Sequence, residues 1–184
     1  LTDTALVGLS PETGQKLWEF AFPLNWESTL TPLVYGQQVM VADQQAGMVA
    51  VRAVREGAGW KAEQVWRQPD LDGYMSSPIV QGNRLFGLSV RRKGQYFCAD
   101  AVTGNPYWQT PGKEGDYAML LLAGRDILIQ TTEGVLLVVP PNQETFAPVR
   151  RYQIAESATW AHSALVNDGI IVKDATTLAF WKLH

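Results

Sequence analysis

The chain has 184 residues, 46% hydrophobic and 18% charged, a balance that supports a packed core and excludes intrinsic disorder. A net charge of −3, with no basic run longer than Arg91-Arg92-Lys93, excludes a general nucleic-acid or anionic-membrane surface. The single cysteine, Cys98, excludes an intrachain disulfide and a cysteine-based zinc cage, and no apolar run is long enough to span a membrane as a helix.

Residues 4–20 read as two strands joined by the turn Ser10-Pro11-Glu12-Thr13-Gly14 and closing on Trp18. A four-strand unit follows over 29–68, opening with Thr31-Pro32-Leu33-Val34-Tyr35-Gly36 and closing on Trp66. The unit over 75–110 is the clearest. Pro78-Ile79-Val80 leads into a Gly82-Asn83 hairpin turn, a pair suited to positive φ. Two strands follow over 84–90 and 95–99, Asp100-Ala101-Val102-Thr103-Gly104 turns the chain, and Tyr107-Trp108-Gln109 is outermost. In that turn Asp accepts backbone hydrogen bonds and Gly supplies the left-handed residue. Residues 117–153 repeat the pattern and end near Tyr152, and 161–184 supply three strands of a further unit. The sequence opens within a unit, without an initiator Met or a signal-like segment, as expected of a processed chain or a portion of a longer one.

Two markers keep one beat. Gly36, Gly82, Gly124 and Gly169 are spaced by 46, 42 and 45 residues, and Trp18, Trp66, Trp108 and Tyr152 by 48, 42 and 44. No window carries a convincing 3.6 period, so helix content should be very low. Four short strands repeated at this interval predict an all-β chain built as a β-propeller of four-stranded antiparallel blades.

The Thr-Gly-x-x-x-Trp phrase of residues 13–18 and 103–108 resembles the repeat of the quinoprotein dehydrogenase-like (pyrroloquinoline-quinone-like, PQQ-like) propellers, a family that includes a bacterial outer-membrane assembly lipoprotein. The likeness runs along the whole chain, strongest at 9–18 and 77–108. It implies that Gly14, Trp18, Trp66, Gly104, Trp108 and Tyr152 dock neighbouring blades. It also implies a periplasmic, cell-surface or secreted location. Two ring readings stay open: 4–20 closes a four-bladed ring, or the chain is the C-terminal half of a seven- or eight-bladed one, which the resemblance favours. A half-ring would expose apolar blade faces and would need its other half or a second copy.

Catalytic sets are sparse. Only His162 and His184 exist, which excludes a His-rich metal site, and no Gly-x-Ser-x-Gly elbow accompanies His162. Cys98 lies in an apolar run and reads as a buried small hydrophobe. Asp70 and Asp72 read as solvated turn carboxylates without calcium-loop spacing. The resemblance would allow a PQQ- and calcium-dependent dehydrogenase, but that family's enzymes use adjacent cysteines and Cys98 has no neighbour. No cofactor and no metal are therefore expected, and the repeat is not read as cofactor binding. The favoured function is a non-catalytic platform for a protein partner or a small polar ligand, the alternative an enzyme fragment whose catalytic residues lie elsewhere. The candidate contact residues precede the inner strands: Trp26 and Glu27, Tyr74 and Ser76, Tyr117, then Trp160 and His162. Aromatic bodies with polar tips suit partner surfaces; the competing reading is that these rings wedge between blades.

Overall fold

The computed structural model describes residues 1–24 and 29–183. Two strands, β1 (Ala5–Leu9) and β2 (Lys16–Ala21), form the first sheet. The second holds β3 (Leu33–Tyr35), β4 (Gln38–Asp43), β5 (Gly47–Glu56) and β6 (Gly59–Gln68). The third holds β7 (Ile79–Gln81), β8 (Arg84–Ser89), β9 (Gln95–Asp100) and β10 (Pro106–Gln109). The fourth holds β11 (Ala118–Ala123), β12 (Asp126–Thr131), β13 (Val135–Val139) and β14 (Arg150–Gln153), and the fifth β15 (Ala164–Val166), β16 (Gly169–Lys173) and β17 (Leu178–Lys182). Every pairing joins sequence neighbours antiparallel. The chain is an all-β propeller of successive antiparallel sheets.

Four apolar cores alternate with the sheets. Leu6, Val41, Val49 and Val51 join the first to the second, and Met40, Met48, Leu85 and Phe97 join the second to the third. Phe86, Tyr96, Cys98, Ile129 and Leu137 join the third to the fourth; Leu128, Leu136, Ile170 and Val172 join the fourth to the fifth. Strand β9 shows why its sequence is apolar throughout. Phe97 and Ala99 face the second sheet while Tyr96 and Cys98 face the fourth, so both sides of the strand are buried. A one-residue slip would exchange the two sets. Cys98 is fully buried, and burial pushes its thiol pKa up.

Three differences from the sequence reading have physical causes. Strands β5 and β6 run ten residues each, and their distal end projects as a ribbon where Arg55 lies 4.1 Å over the Trp60 ring. Arg91-Arg92-Lys93 forms a 3₁₀ turn with Arg92 and Lys93 at positive φ. Asp72 is no solvated turn residue. Its side chain is fully buried, accepting the Val90 N–H at 2.9 Å and Arg91 Nε at 2.8 Å, because burial of a carboxylate demands this compensation. Asp70 does stay exposed, 3.6 Å from Arg91.

The outer faces of the terminal sheets are apolar and open. Leu178 is 70% and Phe180 55% exposed on β17, and Leu9 is 55% exposed on β1. Among the described residues no apolar cluster joins the first sheet to the fifth. Among the described residues no helix is long and apolar enough to cross a membrane either.

Candidate functional site

In the third blade the repeat phrase lies at the joint with the second. Asp100 Oδ1 accepts the N–H groups of Val102 and Thr103 at 2.9 and 2.8 Å, and Tyr107 Oη donates to Oδ2 at 2.8 Å. Burial would raise the Asp100 pKa, but these donors outweigh it and hold the carboxyl below its ordinary range. Gly104, at φ +75°, sits on the buried Trp66 ring so closely that a Cβ would lie 2.6 Å from Cε3. Trp108 repeats the role one blade on, donating from Nε1 to the Gln143 carbonyl at 3.1 Å and packing on Phe86 and Phe146. Trp18 covers Gly8, its cross-strand partner. Gly14 has the same left-handed backbone, φ +72°, but nothing within 4 Å of its would-be Cβ, and Tyr152 is 43% exposed. The inner pairs are thus engaged while the outermost members stand free.

Successive strands alternate direction, so each loop from an outermost to the next innermost strand emerges at the same end as the turn between second and third strands. This loop face gathers three of the sequence candidates. Trp160, 63% exposed, stacks on Tyr117 with ring centroids 5.7 Å apart at 24°. Tyr117 Oη lies 3.2 Å from His162 Nε2, and desolvation raises the Tyr117 pKa, keeping the hydroxyl protonated at neutral pH.

The loop beneath them is tied down at both ends. Thr159 donates to the Thr131 carbonyl through Oγ1 at 2.6 Å and to the Thr132 carbonyl through its N–H at 3.0 Å. Ser163 bonds Gln130 side chain to side chain, and Gln130 Nε2 donates to the Ala161 carbonyl at 3.4 Å. Ser76 is buried, and its Oγ accepts the Ala118 N–H at 3.0 Å, fixing the residue next to Tyr117 rather than presenting itself. Tyr74 is half-buried, its carbonyl accepting the Thr29 N–H at 3.3 Å. Trp26 and Glu27 lie outside the described residues. Gln130 and Thr159 were not among the sequence candidates; only the polarity of Gln130 at the end of an apolar strand could have marked it.

Clefts of about 650, 420 and 280 Å³ open between blades on the same face. The largest runs from Gln153 and Glu156 to Asp174 and Trp181, the second is lined by Asp70, Arg91, Arg92 and Gln109, and the third by Tyr96, Glu133 and Arg151. Asp174 is capped by the Thr176 and Thr177 N–H groups at 2.9 and 2.6 Å, which hold its carboxyl below the usual range. Among the described residues no three acidic, His or Cys side chains converge as a metal site.

The family described as outer membrane protein assembly factor BamB matches residues 1–110. The chain belongs to that family. No curated protein matches the sequence significantly. Among solved structures, the computationally designed Ika8 protein is 13% identical with a TM-score of 0.72, covering 98% of this chain and 53% of its own. BamB from Moraxella catarrhalis is 12% identical with a TM-score of 0.50, over 98% of this chain and 67% of that one. The WD40 propeller domain of Doa1 is 12% identical with a TM-score of 0.60, over 88% of this chain and 53% of that one. Identities this low establish the fold alone. The chain spans about half the length of Ika8.

Proposed function

We propose that the chain is a non-catalytic propeller platform that holds a protein partner on its loop face, in the outer-membrane protein assembly role that its family's description carries. The proposed location is the bacterial periplasm or cell surface. The observation that carries the reading is Trp160: a large ring 63% exposed, yet stacked on Tyr117 and carried by a loop pinned at Thr159 and Ser163. An exposed aromatic held in one pose loses little entropy on binding, the property of an interface anchor. Ring packing between blades, the competing role, would bury it. The open apolar faces of β1 and β17 favour burial against further blades, from the rest of a longer chain or from a second copy.

Photo-cross-linking from position 160 in the native host tests the reading, with position 149 as control. Val149 is also exposed but lies at the opposite end of its blade. Adducts to one discrete protein from 160 and not from 149 are expected. Equal labelling from both, or none from 160, refutes it. Trp160→Ala should leave the fold intact, lowering stability by about 1 kcal/mol through loss of the stack; unfolding would mean that the ring is packing.

A further inference from the structure

Tyr96 carries a hydroxyl that the fold does not use. Its side chain is 2% exposed, its ring stacks on Phe146 at 4.7 Å, and its Oη has no hydrogen-bond partner. The same position in the flanking blades is filled by Met48 and Leu136, each buried against the next blade. Packing therefore asks only for an apolar group. A buried hydroxyl left unpaired is destabilising, so its presence in this one blade points to something that pairs with it.

Tyr96 lines the 280 Å³ cleft between the third and fourth sheets, with Lys113, Glu114, Thr131, Glu133 and Arg151. Two cations and two anions thus face one small space. Among the described residues no ion pair joins either cation to either anion. Glu133 accepts Thr132 Oγ1 at 2.9 Å, and although burial raises its pKa, the surrounding hydrogen-bond donors and Arg151 outweigh that and hold its carboxyl below the ordinary range. The rim is firmly built: the N–H groups of Lys113, Glu114 and Gly115 donate to the carbonyls of Arg92, Gly94 and Lys93 at 3.0, 3.2 and 3.2 Å. All three non-glycine residues with positive φ among those described, Arg92, Lys93 and Lys113, lie in these two segments.

We propose that this cleft binds a small zwitterion of the α-amino-acid class, its carboxylate toward Arg151 and Lys113, its ammonium toward Glu133 and Glu114, and Tyr96 Oη paired to it. Charges of both signs lining one cleft are matched by a ligand with both charges, and a volume of about 280 Å³, just under the usual range of ligand sites, suits a small one. The proposal is independent of the Trp160 surface.

Calorimetric titration of the full chain with glycine, L-serine, L-glutamate and L-arginine tests it, with acetate and methylamine as single-charge controls. At least one amino acid should bind, and neither control should match it. Tyr96→Phe should weaken binding about 5- to 10-fold, the worth of one hydrogen bond, and Arg151→Gln or Glu133→Gln by at least about 10-fold. Without ligand, Tyr96→Phe should melt no lower than the parent, because it removes only an unpaired group. The proposal is overturned if no amino acid binds, if acetate binds as well as the amino acids, or if Tyr96→Phe binds like the parent. It is equally overturned if the unliganded Tyr96→Phe chain is clearly destabilised, since the hydroxyl would then be satisfied within the fold or by water.

Discussion

Gly14 and Gly104 occupy the same place in the same turn with nearly the same backbone, φ +72° and +75°, but only Gly104 touches a neighbour. Alanine at either position must hold a left-handed conformation, at about 1–2 kcal/mol. At Gly14 that is the whole penalty, because a Cβ there meets nothing within 4 Å. At Gly104 the Cβ would lie 2.6, 2.8 and 3.0 Å from Cε3, Cδ2 and Cζ3 of Trp66. Trp66 is only 7% exposed and lies in the core between the second and third blades, so the ring cannot swing away into solvent. Overpacking of this kind adds about 1–3 kcal/mol. Urea denaturation should therefore show Gly104→Ala destabilised by about 2–5 kcal/mol and Gly14→Ala by about 1–2. Trp66→Leu opens the space that the new methyl needs, so in the double variant Gly104→Ala should cost little more than its backbone strain, a coupling of at least about 1 kcal/mol. Equal losses for the two alanine variants, or strictly additive effects of Trp66→Leu and Gly104→Ala, would refute the docking role of the phrase.

Arg91→Ala should destabilise by about 2–3 kcal/mol, because it strands the buried Asp72 carboxylate; differential scanning calorimetry of Arg91→Ala, Asp72→Ala and the pair should show the double variant losing less than the sum. The depressed Asp100 pKa stabilises the fold above the unfolded carboxyl's range, near 3.8, and that contribution is lost as pH falls through the lower folded value. The melting-temperature gap between the parent and Asp100→Asn should accordingly persist at neutral pH and close in acid below that range; a gap that is flat with pH contradicts it. Cys98, buried and with its thiolate disfavoured, should resist a thiol reagent in the folded chain and react at once in denaturant. Light scattering should find the isolated chain associated, with Phe180→Lys and Leu178→Lys shifting it toward monomer, since those two side chains form the most exposed apolar part of the last sheet.

Fold was legible where the sequence repeats and local chemistry decides the backbone. Asp100 to Gly104 dictates its own turn, and the 42- to 48-residue beat of Trp18, Trp66, Trp108 and Tyr152 spaces the sheets. The site was only half legible, for a reason that the geometry supplies. Each candidate loop was read as a ring of equivalents, but a loop's role depends on what the next blade offers it. Tyr117 and Trp160 meet because their loops border the same blade, the fourth, one entering it and the other leaving it. Ser76, from a loop of the same kind, is drawn inside by the Ala118 N–H. Asp72 is buried because Arg91 reaches it from a turn 19 residues away, a contact that no spacing rule encodes. Tyr96 is the sharpest instance. In the sequence it is one more aromatic in an apolar strand, and only alignment of the blades in space, with Met48 and Leu136 at the same station, reveals its hydroxyl as surplus to packing. In a repeat protein the shared residues are occupied with holding the stack together, so function is to be sought where one blade departs from its neighbours.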